Sequence, residues 1–371
     1  MSNNNALTRR EFLKVAGAGI ALTATGSWLA GCAPAPTPVP PTAVSAPTAP
    51  PPPTVAKPAG RLSVYSALNE TTNNEFIKAF KAAYSGVEVD LLPIAAGGEL
   101  QTSIRTEKNS PKCDVFIGGS SEFHDPLGKE GLLEPYKSHN AANLDPQFKD
   151  ANGNWTGWYI GIFGFLYNTD RFSKEMAGVK KPTTWDDLLD PVWKGKLASP
   201  DPIKTGGGFI FMATQIFRFN KDEDKAMEYM KKLHANIAQY TGTAPQVVQL
   251  VSQGQFIGGL NWAHDILTNI NQGLPIALIV PEYTGFEVGA VSIVKGGPNL
   301  TAAKAFVDWV LTPEAGALNV KLSNRLSVRK EVPPAPGAPT LEQVKLVQYE
   351  RQWASDNKDR ILKKWQAAVG M

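Results

Sequence analysis

Cysteine and histidine are scarce in this chain, with two and four among 371 residues. The cysteines are Cys32 and Cys113. Cys32 has a use of its own, given below. That leaves Cys113 alone, so neither an intramolecular disulfide nor a multi-cysteine metal site can form. Excess charge is also missing. The formal net charge is +3, and Arg9, Arg10, Lys14 and Glu11 lie in a segment expected to be removed, which leaves the remainder close to neutral. Nucleic-acid binding draws on a basic face, and none is supplied, so no nucleic-acid partner is expected. No G-x-S-x-G, H-E-x-x-H, P-loop or C-x-x-C occurs, which removes the familiar hydrolase, zinc-protease, nucleotide and dithiol signatures. No metal or other cofactor is expected.

What the chain does have is a composite N-terminus. Arg9-Arg10-Glu11-Phe12-Leu13-Lys14 precedes a largely apolar run over residues 15–29. A basic segment followed by a short apolar one is a secretory signal, too short for an ordinary membrane span. The arginine pair followed by Phe-Leu-Lys resembles the twin-arginine export consensus, which implies passage through that translocon in the folded state. Gly17 and Gly19 form a lone G-x-G without a preceding strand, and the apolar signal accounts for them better than a dinucleotide loop does. The signal ends Leu29-Ala30-Gly31-Cys32, which is similar to the bacterial lipobox at all four positions. By that resemblance residues 1–31 are cleaved and Cys32 carries lipid, anchoring the chain to the outer face of the cytoplasmic membrane. Stable anchoring needs more than one acyl chain, each buried CH₂ contributing roughly 0.8 kcal/mol. Residues 32–60 then form a proline-rich spacer. Between 33 and 58 it has one lysine, no acid and no aromatic residue, so it cannot bury enough surface to fold. Proline favours an extended polyproline II spacer.

From residue 61 strands and helices alternate. Leu62 and Val64 mark a strand. Residues 71–84 read as a helix with Phe76, Phe80 and Tyr84 on one face. Residues 87–94 form a strand, 99–108 a helix, and 114–120 a strand ending in a glycine turn. This order implies an α/β fold with parallel strands covered by helices. Ligands of such sheets sit beyond the carboxyl ends of the strands, where three loops carry Ser66 and Asn69, Gly97 and Gly98, and Ser120. Residues 158–169 and 282–294 are glycine-bearing apolar strands with no helical period. Between them lies a second α/β unit, in which Lys204-Thr205-Gly206-Gly207-Gly208 opens a helix reaching Phe217 and a further helix runs over 222–234. Helices over 302–311 and 341–354 close the chain.

The segments LSVYSALNE, DVFIGGSSE, GWYIGIFGFLYNT, TTWDDLLDPVWKGKLASPDP and GAVSIVKGGPNLTAAKAFVDWVLTPEAG follow in that order. Together they resemble the type II periplasmic binding proteins of ABC transporters, and within them the extracellular solute-binding family that includes ferric-ion, phosphonate and sugar-phosphate binders. The resemblance implies two lobes joined by two crossing strands and closing on a solute by a hinge. It assigns 61–160 to the first lobe, 161–285 to the second, and 286–371 to the first again. It further implies a small-molecule solute, a membrane permease as partner, a monomer and no catalysis. Ferric-ion binders of this family use adjacent tyrosines where this chain has Asn261-Trp262-Ala263-His264-Asp265. A His-Asp pair there is similar to members that bind phosphorylated sugars, where such residues contact hydroxyl groups, and Glu287 is a third polar contact. An anionic group would be held by the helix start at Thr205, Gly206 and Gly207, where backbone N–H groups and the helix dipole converge. The expected function is capture of a small anionic, phosphorylated or phosphonate solute. The alternatives are ferric-ion binding and an extracellular hydrolase built from Ser120, His264 and Asp265, although adjacent His and Asp side chains point in different directions.

The anchor has a direct test. Cys32→Ser is expected to move the exported protein from the detergent phase to the aqueous phase on phase partitioning, and retention in detergent would exclude lipidation at this residue.

Overall fold

The computed structural model of the chain describes residues 57–94 and 97–371. The signal segment, Cys32, the spacer up to residue 56, and Ala95 and Ala96 lie outside the described residues. Strand β1 (Gly60–Ser66) buries Leu62 and Val64. Helix α1 (Glu70–Ala83) starts where the Asn69 side chain accepts a hydrogen bond from the Thr72 N–H, the usual device for a free helical donor. Its buried Phe80 packs edge-on against Phe306, with ring centroids 4.9 Å apart. Strand β2 (Val87–Pro93), helix α2 (Gly97–Thr106), strand β3 (Val115–Ser120), helix α3 (Ser121–Lys129) and the short β4 (Leu133–Glu134) complete the first α/β unit. β2 and β3 flank β1 on either side, both parallel to it.

Strand β5 (Thr156–Asn168) is buried at all thirteen positions. At about 3.3 Å per residue it is roughly 43 Å long, more than one sheet needs. After it come α4 (Thr169–Glu175), β6 (Leu197–Pro200), α5 (Gly206–Arg218), α6 (Glu223–His234), β7 (Ile237–Thr241), α7 (Ala244–Ser252), β8 (Gly258–Trp262), α8 (Ala263–Asn271), β9 (Ile276–Ile279) and β10 (Phe286–Val294). The first half of β5 pairs antiparallel with β10 from Thr156 to Ile162. Its second half pairs antiparallel with β8 and β9. One strand therefore serves two sheets, ordered β2-β1-β3-β10-β5 and β5-β8-β6-β7. β6 lies parallel to β7 and β8. The two lobes and the crossing at residues 158–169 match the expected architecture. The second crossing turns regular at Phe286 and not at Glu282.

The remaining elements are α9 (Leu300–Val310), α10 (Pro313–Ser323), β11 (Leu326–Ser327), α11 (Arg351–Asp356) and α12 (Lys358–Val369). Residues 341–350 are not helical, which corrects the expected helix over 341–354. Their backbone is engaged elsewhere: the Thr284 N–H donates to the Lys345 carbonyl at 3.0 Å, and the Val347 N–H to the Thr284 carbonyl at 3.1 Å. The sequence boundaries grouped the last helices with the first lobe. In the structure α12 lies along α6, where Arg360 pairs with Glu223 at 2.6 Å and Trp365 meets Tyr240. Within the second lobe, α5 is buried from Gly207 to Phe217, as expected of a helix apolar on every side.

Glycine is required where β10 passes β5. A Cβ on Gly289 would sit 1.9 Å from Cζ of the buried Tyr159 ring. Gly289→Ala is expected to destabilise the fold by about 2 kcal/mol through overpacking, measured as a lower urea midpoint. An unchanged midpoint would mean that the ring can move aside.

Candidate functional site

The strand-end loops of the first lobe converge through glycine. Gly118 and Gly119 have φ of 81° and 71°, left-handed values that glycine adopts without steric cost and that let β3 turn straight into α3. A Cβ on Gly119 would lie 3.5 Å from the Gly97 Cα and 3.6 Å from the Ala67 Cβ, so the loops after β1, β2 and β3 touch. Ser120 closes the turn by accepting the Glu122 N–H at 3.4 Å, and Ser121 Oγ is buried without a partner. Two expected contacts do not fit their positions. Ser66 is fully buried, and its hydroxyl is used inside the turn, donating to Asn73 Oδ1 at 2.6 Å and accepting from the Leu68 N–H at 3.2 Å. Gly97 is covered by Phe123, whose ring leaves no room for a Cβ. Asn69 serves as the α1 cap, and Gly98 lies at the same convergence, partly exposed.

Three of the expected polar residues come together in the second half of the chain. Glu287 on β10 stands opposite Gly161 on β5. A Cβ on Gly161 would lie 2.8 Å from Glu287 Oε1 and 3.2 Å from His264 Cε1, so that glycine makes the space both side chains enter. His264 and Asp265 form the first turn of α8, with Nε2 to Oδ1 at 3.6 Å. Ser120 is tied to the group because its backbone pairs with Gly289, two residues along β10.

The sequence reading missed the cation of this cluster. Arg325, between α10 and β11, has Nε 3.5 Å from Glu287 Oε1, and its guanidinium lies 5.1 Å from the Tyr159 ring centroid. That face is an attractive place for a cation. No motif in Ser323-Asn324-Arg325-Leu326 marks it, and Tyr159 looks like core because it sits in an apolar run. Glu122, at the start of α3, was missed too. Burial is the main cause that raises its proton affinity, and Glu287 is close enough for the two carboxylates to repel and raise it further, against Arg351.

Burial governs the protonation states here. Desolvation pushes the His264 imidazole well below its ordinary range, helped by repulsion from Arg325. His264 is therefore neutral, and its approach to Asp265 is not an ion pair. Burial also raises Glu287, with Arg325 opposing, and pushes Asp265 from 3.8 up to about 6, again against Arg325. His264 Nδ1 is buried without a hydrogen-bond partner, and Arg325 Nε has only its 3.5 Å approach to Glu287. Buried polar atoms are rarely left unpaired, and His264 Nδ1 is such an atom beside Glu287 and Arg325.

Trp262 links this cluster to the helix start at α5. Its indole stacks over His264 with centroids 6.0 Å apart and 23° between planes, and its Nε1 lies 2.9 Å from where a Gly207 Cβ would be. Thr205 Oγ1 caps α5 by accepting the Gly208 N–H at 2.9 Å. Gly206 has nothing within 4 Å of its Cβ position, so the first turn of α5 is open at Gly206, while Gly207 and Gly208 are covered by Trp262 and Asp201. Lys204 is turned toward Asp201, at 3.6 Å. Among the described residues, no group of three or more His, Cys, Asp and Glu is placed to hold a metal ion.

Asp265 yields a pH test. Its folded value of about 6 exceeds the ordinary 3.8, so the folded chain holds this proton more tightly than the unfolded one. The resulting stability is fully present below about pH 4 and is lost as pH rises through about 6. Asp265→Asn is therefore expected to gain stability relative to wild type across that window, read from paired urea midpoints. A difference that stays flat with pH would show that Asp265 does not titrate there.

Comparison with known proteins places this geometry. The family model for bacterial extracellular solute-binding proteins matches residues 110–351. An uncharacterised protein of Haemophilus influenzae is 32% identical over 320 residues, 84% of this chain and 91% of its own length. The periplasmic binding protein AfuA of Actinobacillus pleuropneumoniae, solved with exogenous fructose-6-phosphate bound, is 32% identical with a TM-score of 0.68, covering 84% of this chain and 99% of that one. Iron-bound HitA of Pseudomonas aeruginosa shares the fold with a TM-score of 0.68 at 19% identity, over 85% of this chain and all of its own. With the two-lobed type II periplasmic-binding architecture in place, the chain belongs to the bacterial extracellular solute-binding protein family.

Proposed function

We propose that this protein captures a small phosphorylated, polyhydroxylated solute between its lobes for an ABC-type importer, and hands it to a membrane permease. In this reading it acts as a monomer, leaves the cell through the twin-arginine route, and stays on the outer face of the cytoplasmic membrane by lipid on Cys32. The observation that carries it is the largely enclosed cluster of His264, Asp265, Glu287 and Arg325, in which the buried His264 Nδ1 has no protein partner. A neutral imidazole, two carboxylates and a guanidinium offer donors and acceptors in the mixture that hydroxyl groups need. The same carboxylates repel a phosphate, so that end suits the uncharged hydroxyls. The anionic group belongs at the first turn of α5, where Gly206 and Gly207 offer backbone N–H groups and the helix dipole favours negative charge; the Thr205 N–H is already given to the Asp201 carbonyl at 2.9 Å. The relative solved with fructose-6-phosphate supports this solute class.

A ferric-ion reading fits less well. Hard Fe³⁺ calls for anionic oxygen ligands, and here a neutral imidazole and Arg325 share the space. A hydrolase lacks its nucleophile, because Ser120 Oγ faces the Glu122 N–H at the α3 cap and no hydrogen bond joins it to His264.

Calorimetric titration with fructose 6-phosphate, fructose, inorganic phosphate, 2-aminoethylphosphonate and ferric citrate separates these readings. Fructose 6-phosphate is expected to bind about a hundredfold more tightly than fructose, since a site built to bond a polar group rejects an analogue without it. Glu287→Gln and His264→Ala should each weaken that binding while leaving the fold intact by circular dichroism. Heat from ferric citrate alone would overturn the proposal.

A further inference from the structure

The lobes have a third connection besides β5 and β10. After β11 the chain passes the second crossing, bonded to Thr284 through Lys345 and Val347, and comes to rest on the second lobe. There Tyr349 and Trp353 flank Phe217 with ring centroids 4.9 and 5.5 Å away, and Arg360 holds Glu223. From this segment Arg351 and Gln352 both reach back to the first lobe, Gln352 accepting from Lys129 of α3. Arg351 Nη2 donates to the Gln147 carbonyl at 2.7 Å, and its guanidinium lies 5.3 Å from the Trp155 ring centroid. Trp155 is fixed in turn by donating from Nε1 to Asp125 Oδ1 at 2.5 Å. Asp125 and Glu122 both attract Arg351, yet no carboxylate lies within ion-pairing distance of it among the described residues. Its seat is a flat aromatic face and a carbonyl, a geometry a planar guanidinium fills well and a lysine does not.

We propose that Arg351 is a positioning residue for lobe closure. It is carried by the segment bound to the second lobe and seats on Trp155 and Gln147 of the first lobe when the lobes are together. It sits beside Glu122 at the edge of the solute gap and holds that gap shut without touching solute. In this proposal, separating the lobes draws the guanidinium off Trp155, and the contact serves the closed arrangement. A contact made only in one of two states shifts the equilibrium by its differential free energy. This inference rests on the reading that the lobes close on solute, but not on which solute.

The test uses the full chain with spin labels at Lys78→Cys on α1 and Lys232→Cys on α6, both exposed. The native Cys113 is buried and stays unlabelled, and Cys32 is changed to serine in every protein tested so that it takes neither lipid nor label. Without any solute, Arg351→Ala is expected to move the interlobe distance distribution toward longer values. Arg360→Ala, whose contacts stay on the second lobe, should leave it unchanged. Trp155→Leu removes the other half of the stack and should reproduce the Arg351→Ala shift, which keeps the test alive if one variant folds poorly. With fructose 6-phosphate as probe, Arg351→Ala is expected to raise the release rate about tenfold with little change in association, since affinity within one interface is tuned mainly by dissociation. Superimposable distance distributions for wild type and Arg351→Ala would overturn the inference, as would an equal shift from Arg360→Ala. A distance shift in a protein that ignores fructose 6-phosphate would keep the Arg351 role and remove the solute class.

Discussion

Everything in this molecule hangs on one strand being shared by two sheets. β5 is buried along its whole length, and its hydrogen bonds pass from β10 to β8 and β9 between Ile162 and Phe163. A strand in the middle of two sheets has no free edge and must be apolar on both faces, which is why its side chains are aromatic, branched or absent. The glycines in it are positions where another group needs the space. At Gly161 that group is the pair Glu287 and His264. The element that joins the lobes thus also clears room for the polar cluster between them.

That cluster is held by compensation. Arg325 is buried among Glu287, Asp265 and Tyr159, and burial of the cation is outweighed by its acidic neighbours. Each carboxylate is in turn kept from an even higher affinity for protons by the arginine. Removing the single cation from such a set leaves two carboxylates uncompensated, which costs far more than the pairing contributes when intact. Within this set of charges the buried His264 Nδ1 has no partner of its own. Polarity sorted in this way, acids and a neutral imidazole at one end and an open helix start at the other, is what a solute with hydroxyls and one anionic group would meet.

Much of the first lobe was legible in the sequence because its signals are local. The stripe of Phe76 and Phe80 and the Gly118-Gly119 turn each act within a few residues, and both appear as read; Asn69, expected to contact ligand, caps α1 instead. His264, Asp265 and Glu287 were found through their place in a family pattern. Arg325 and Tyr159 were not, since neither lies in a motif and their meeting joins residues far apart in the chain. Residues 341–350 misled in the opposite way. Their apolar spacing resembles a helix, but bridging to Thr284 takes their backbone hydrogen bonds.

By itself the sequence determined the alternation of strands and helices, the breaks at glycine, the apolar continuity of the crossing strands and the lack of any catalytic motif. These follow from side-chain period and backbone freedom, which act over a few residues. Only the tertiary structure decided that Ser66 is used up inside its own turn, that Arg325 joins Glu287, and that the last helices ride on the second lobe while Arg351 reaches the first. Such outcomes depend on which distant surfaces are buried together, because burial, and not sequence spacing, sets the cost of leaving a charge or a hydrogen bond unpaired.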